Sequence, residues 1–135
     1  MHVVIWKRLM ALTLLYMGAS LIHFIHNAEF LADYPNLPQT WTRAGVYFAW
    51  LGMTALGAMG LLLTMRGLRM TGLLLVAVYS LLGMDSLGHY VAAPMSAHTA
   101  AMNLTILLEV STAAIVFIEV VMQMVYLIRH RRASP

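Results

Sequence analysis

No cysteine occurs anywhere in the chain, which excludes disulfide bridges and thiolate-bound metal alike. Charge is also scarce. Charged residues make up 10% of the sequence, where a soluble globular domain carries about a quarter. There are only five acids, Glu29, Asp33, Asp85, Glu109 and Glu119, and the four prolines fall in connecting stretches or the tail. The cations are not interleaved with aromatics into a nucleic-acid-binding patch, so the pI near 9.6 does not point to DNA or RNA. Internal inverted repeats are absent as well, which argues against an alternating-access transporter.

What remains is hydrocarbon. Hydrophobic residues fill 61% of the 135 positions, and mean hydropathy is +0.80. Four apolar stretches, roughly 9–30, 44–65, 70–92 and 99–128, each reach the ~20 residues needed to cross a ~30 Å hydrocarbon layer. The expected fold is a single domain over residues 1–135: an all-α integral membrane protein built as an up-down-up-down bundle of four transmembrane helices. The links Met65–Arg69 and Ala92–Ala97 are short enough to force antiparallel neighbours. Lys7-Arg8 ahead of Leu9–Met17 has the form of a signal-peptide n-region and h-region. The expectation is that this segment is retained as the first span.

Orientation follows from the cations. Lys7, Arg8, Arg66, Arg69, Arg129, Arg131 and Arg132 fall on one side and only Arg43 on the other. The positive-inside rule places the seven in the cytoplasm, with both termini, and makes a bacterial inner membrane the expected location. The lipid bilayer is then the first partner. Segment two carries Gly45, Ala49, Gly52, Ala55, Gly57 and Gly60, and such small residues let helices approach closely in lipid. It reads as a packing wall and a possible homodimer face. The twelve methionines are best read as adaptable packing. Between segments one and two, Pro35, Asn36 and Pro38 predict an ordered loop, with Tyr34 and Trp41 in the interfacial aromatic belt.

The ionisable residues are not spread evenly. Segment one ends in His23-Phe-Ile-His26-Asn27-Ala-Glu29, segment three in Asp85-Ser-Leu-Gly-His89, and segment four opens with His98, Asn103 and Glu109. Ionisable groups inside a bilayer are costly and mark functional sites by default. With helix directions alternating, all three runs reach the non-cytoplasmic end.

At 100° per residue, His23 shares a stripe with Tyr16, Ser20, His26 and Asn27. Asp85 and His89 are i, i+4 on one face, and His98, Met102, Thr105 and Glu109 form a third stripe. His23, His26, Asp85 and His89 are the candidate metal ligands, because imidazole plus carboxylate without thiolate suits zinc, copper or iron. Glu109 and His98 are the candidates for proton handling at a reacting group. Glu29, Asn27, Asn103 and Tyr16 would support the ligands or touch a substrate, Glu29 as a rim residue or as the partner of His26. Glu119 reads as a protonated, locally bonded carboxyl.

The sequence Asp85-x-x-x-His89 followed by His98 resembles the copper-ligand arrangement in the membrane subunit of particulate methane monooxygenases. The resemblance covers those three residues, with a shorter second interval, and implies copper. The diiron membrane desaturases need several H-x-x-H-H boxes on the cytoplasmic face, and none is present.

The expected function is therefore a small intramembrane metalloprotein, an oxidoreductase or hydrolase acting on a small hydrophobic substrate. One alternative is b-type haem electron transfer with His23 or His26 opposite His89, disfavoured because Asp85 and Glu109 would crowd an anionic porphyrin. Another is a non-enzymatic receptor or carrier whose buried acids bind a small polar or cationic ligand, helped by aromatic side chains.

Overall fold

The structure is a computed structural model. It describes the backbone of residues 2–132 and the side chains of residues 6–130. The Arg131 and Arg132 side chains and the last three residues of the basic tail lie outside the described residues.

Among the described residues there are five α-helices: α1 His2–Glu29, α2 Arg43–Met65, α3 Arg69–Met84, α4 Gly88–Ala92 and α5 Ala100–Arg132. Short 3-10 turns occupy Leu31–Asp33, Asp85–Leu87 and Met95–Ala97. They form four helical stretches long and apolar enough to cross a membrane: Trp6–Glu29, Arg43–Met65, Arg69–Ala92 and Ala100–His130.

The boundaries have local causes. Thr42 caps α2, its hydroxyl accepting the Gly45 N–H at 3.0 Å. After α1, Asn36 adopts a left-handed backbone (φ 59°), which Asn tolerates better than most residues. Its amide donates to the Ala92 carbonyl at 2.9 Å, fastening this loop to the end of α4. Gly67, at φ 90°, turns the chain between α2 and α3.

The third span differs from the continuous helix expected over 70–92. The 3-10 turn at Asp85–Leu87 divides it into α3 and α4. A 3-10 turn advances ~120° per residue instead of 100°, so the phase between Asp85 and His89 departs from that of an uninterrupted α-helix, although both still line one cavity.

The helices pack as a ring, α1 on α2, α2 on α3, α3 on α5 and α5 on α1. The closest approach joins α2 to α3. A Cβ at Gly72 would stand 2.5 Å from the Gly60 carbonyl oxygen and 2.6 Å from the Thr64 nitrogen. Of the small residues expected to form a packing wall, Gly57 and Gly60 pack against α3, whereas Gly52 and Ala55 face outward.

The larger buried core holds Leu9, Leu61, Leu73, Val76, Val116 and Val120, with Tyr16 and Tyr79 at its edge toward the polar residues. A smaller one holds Tyr34, Met102 and Ile106. Outward-facing residues such as Leu14, Phe48 and Leu104 are exposed, an apolar surface that a bilayer would cover. Thr13, Ser80 and Thr112 donate back to carbonyls of their own helices, so these buried hydroxyls are satisfied locally.

Candidate functional site

Three elements bring the polar residues together: the last turns of α1, the 3-10 turn between α3 and α4, and the first turns of α5. His23 (2% exposed) and Glu109 (0%) are among the most deeply buried polar residues of the bundle. His23 Nε2 stands 3.6 Å from Glu109 Oε2, within ion-pair reach but beyond a direct hydrogen bond. On the other side of the ring, Nδ1 lies 3.3 Å from Thr105 Oγ1.

The Thr105 hydroxyl lies 3.1 Å from the Met102 carbonyl and also reaches Tyr34; when it donates to Met102, its oxygen accepts from His23 and Nδ1 carries a proton. Between Nε2 and the carboxyl one further proton distinguishes a neutral acid–imidazole pair from a carboxylate–imidazolium pair. Ser86, at the helix break, donates to Glu109 Oε2 at 2.5 Å. Glu109 Oε1 and the hydroxyls of Ser20 and Tyr79 are buried without a well-formed hydrogen bond, although Ser20 stands near the Glu109 carboxyl and the Tyr79 phenol. Buried polar atoms left unpaired cost free energy and mark places where a structure does more than pack.

Around this pair stands a ring of aromatic contacts centred on Tyr34. Its ring centroid lies 6.4 Å from that of His23, 5.8 Å from His26, 4.9 Å from His89 and 6.5 Å from His98. Tyr34 is 3% exposed. The placement expected for it, an interfacial belt, is corrected: the Pro35–Pro38 loop folds the phenol inward.

The imidazole nitrogens are turned to protein partners. His26 Nδ1 is 2.9 Å from the Tyr34 hydroxyl, His89 Nε2 is 3.3 Å from the Asn27 amide nitrogen, and His98 Nδ1 is 3.1 Å from the Pro94 carbonyl. The Asn27 amide donates, which leaves Nδ1 of His89 as its protonated nitrogen. His98 Nε2 is buried without a partner.

The residues expected to ligate metal thus approach one another through a phenol. The rings of His23 and His89 lie 5.4 Å apart and those of His89 and His98 6.2 Å. Yet among the described residues no group of three or more His, Asp or Glu side chains is placed to hold an ion. Asp85 is exposed and lines a cavity beside His89. Glu109 meets His23 and Ser86, and His98 instead packs against Tyr90, with ring centroids 5.5 Å apart.

The supporting residues are also placed. Tyr16 donates to the Tyr79 carbonyl at 3.0 Å, closing the centre from below. Asn103 accepts from Tyr90 at 2.9 Å and donates to the carbonyls of Met95 and His98, latching the loop before α5. Glu29 does not partner His26. It pairs with Arg43 Nη2 at 2.6 Å and accepts from Tyr47 at 2.7 Å, clasping the end of α1 to the start of α2.

A cavity of about 280 Å³ opens beside this centre, lined by His23, Phe24, Asn27, Trp41, Asp85, Ser86 and His89 among others. Tyr34 and Ser86 were missed as site residues from the sequence. Ser86 sits next to Asp85, and its only signal was a hydroxyl near the end of an apolar run. Comparison with family models, curated proteins and solved structures finds no match to this chain.

Proposed function

We propose that the chain is a four-span membrane protein that binds a small cationic or hydrogen-bonding ligand in this cavity and couples binding to one proton shared by His23 and Glu109. The observation that carries the reading is that His23 and Ser86 both line the cavity and both touch Glu109. A ligand there addresses the buried carboxyl through two side chains. Asp85 supplies the charge at the cavity wall, Trp41 and Phe24 offer ring faces to a cation, and Asn27 and His89 offer hydrogen bonds. The segregation of Lys and Arg supports an up-down-up-down arrangement with cytoplasmic termini, and so a cavity facing the other side.

The sign of the coupling follows from charge. With its shared proton the His23–Glu109 pair has no net charge; without it the pair is anionic. A cation in the cavity favours the anionic form, so binding releases a proton. The test uses tetramethylammonium as probe, read by the fluorescence of Trp41 with Trp41→Phe as reference. A saturable change is expected, lost in Asp85→Asn, with proton release into weak buffer abolished in Glu109→Gln. Absence of a saturable change, or proton release undiminished in Glu109→Gln, overturns the proposal. Zinc, copper or iron that survives dialysis and is lost with His26→Ala or His89→Ala would replace it by a metal centre, and a Soret band by a haem site.

A further inference from the structure

A second cavity lies at the other end of the bundle, among the residues that carry the basic termini of the helices. It measures about 550 Å³ and is bounded by α1, α2, α3 and α5, with Arg8, Arg69, Glu119, Trp6, Met65 and Met122 in its wall. Its height is fixed by the spans. Met65 ends the second and Arg69 begins the third, and cations flank both, so on the proposed topology the cavity lies toward the boundary between hydrocarbon and water.

Its charge is not balanced. Arg8 Nε stands 3.0 Å from Glu119 Oε2, an ion pair at the cavity edge, and Gln123 donates to the other carboxyl oxygen at 3.0 Å. Arg69 has no carboxylate partner among the described residues. Two guanidinium groups therefore face one acid, and Lys7, Arg66 and Arg129 in the flanking sequence add to the positive field. The rest of the wall is apolar and continues onto the outer surface, where Met65 is 63% and Met122 50% exposed.

A ligand that fits both halves carries an anion at the water boundary and hydrocarbon beside it. We propose that this cavity binds the phosphodiester headgroup of an anionic membrane lipid, with Arg69 as the principal contact. Guanidinium groups match phosphate oxygens two at a time, and juxtamembrane cations attract anionic lipid. The volume lies within the range of small-molecule sites, about 300–1,000 Å³, enough for a headgroup and the first part of its chains.

Native mass spectrometry in neutral detergent tests this with short-chain phosphatidylglycerol, short-chain phosphatidylcholine and inorganic phosphate. Retention of one phosphatidylglycerol is expected, with phosphatidylcholine and phosphate retained at least about tenfold less tightly. Arg69→Gln should weaken phosphatidylglycerol about tenfold, and Met122→Trp should block it while leaving every charge in place. Arg66→Gln, outside the cavity wall, should weaken it much less than Arg69→Gln, by no more than the loss of one screened surface charge.

Equal retention of the two lipids, or an equal loss in Arg66→Gln, would reduce the effect to diffuse surface charge and overturn the proposal. Inorganic phosphate bound as tightly as the lipid would mean a free-anion site and overturn it too. Should Arg69→Gln lose its helical circular dichroism, Met122→Trp decides: undiminished phosphatidylglycerol binding there overturns the cavity assignment.

Discussion

Tyr34 shows what one residue contributes when it is the common neighbour of four imidazoles. Burial pushes its phenol up to about 12, opposed in part by a hydrogen bond with Thr105 and reinforced by the nearby Glu109. The unfolded phenol titrates near ~10. Because the folded value is the higher one, the contribution of Tyr34 to stability is complete below about pH 10 and is lost as pH rises through about 12.

A near-ultraviolet titration should therefore show a phenolate step near 12 that disappears in Tyr34→Phe. Loss of a step near ~10 instead would place the phenol in water. The same substitution leaves His26 Nδ1 without its partner at 2.9 Å, and a cost of about 1–3 kcal/mol is expected in thermal unfolding. None of this was readable beforehand. Helical phase locates residues on α1, α3 and α5, where His23, Glu109 and the His98 stripe were found, but it has no purchase on a loop. The prolines at 35 and 38 announce order without announcing direction.

At the scale of elements, the break after Met84 governs the site. The run Leu81–Ala92 is apolar enough to read as one helix, though Gly83, Asp85, Ser86, Gly88 and His89 fall within it. The 3-10 turn carries Ser86 to Glu109 and leaves Asp85 at the cavity wall. Restoring a regular helix would undo both placements, and sequence periodicity cannot report the change because it assumes 100° per residue.

Packing between α2 and α3 was better foreseen, since a stripe of small residues has few uses in lipid other than close approach. Gly72→Ala puts a methyl group against backbone atoms of Gly60 and Thr64, which cannot move aside as a side chain could. A loss of about 1–3 kcal/mol in stability is expected. Gly18→Ala meets nothing within 4 Å and should leave the melting temperature unchanged or slightly raised. Equal melting of the two variants would contradict the packing described.

At the scale of the whole molecule, four helices long and apolar enough to cross a membrane and a polar end were legible: twenty apolar residues have one economical use, and buried charges have few. The ligand chemistry was not legible, because spacing shows which groups share a face and not which nitrogen each imidazole turns to its neighbour. Orientation has a direct test, helped by the absence of native cysteine. In intact cells an impermeant maleimide should label Ser96→Cys and reach Arg66→Cys only after permeabilisation. The reverse pattern would invert the assignment.

The buried apolar layer of the bundle includes Leu9, Val76, Val116 and Val120, with Leu73 at the wall of the cavity near the basic end. That layer has an electrical consequence. Glu109 lies on the order of 15 Å along α5 from its start, which on the proposed topology is about halfway through the hydrocarbon. On the proposed topology a proton that reaches it crosses about half the membrane potential, roughly 1 kcal/mol per 100 mV. The buried hydroxyls of Thr13, Ser80 and Thr112 are already committed to carbonyls of their own helices. The proton must leave by the way it came. Reconstituted protein should therefore answer a voltage step with a brief, saturating displacement of charge that Glu109→Gln removes, while a pH gradient across the same vesicles stands undissipated.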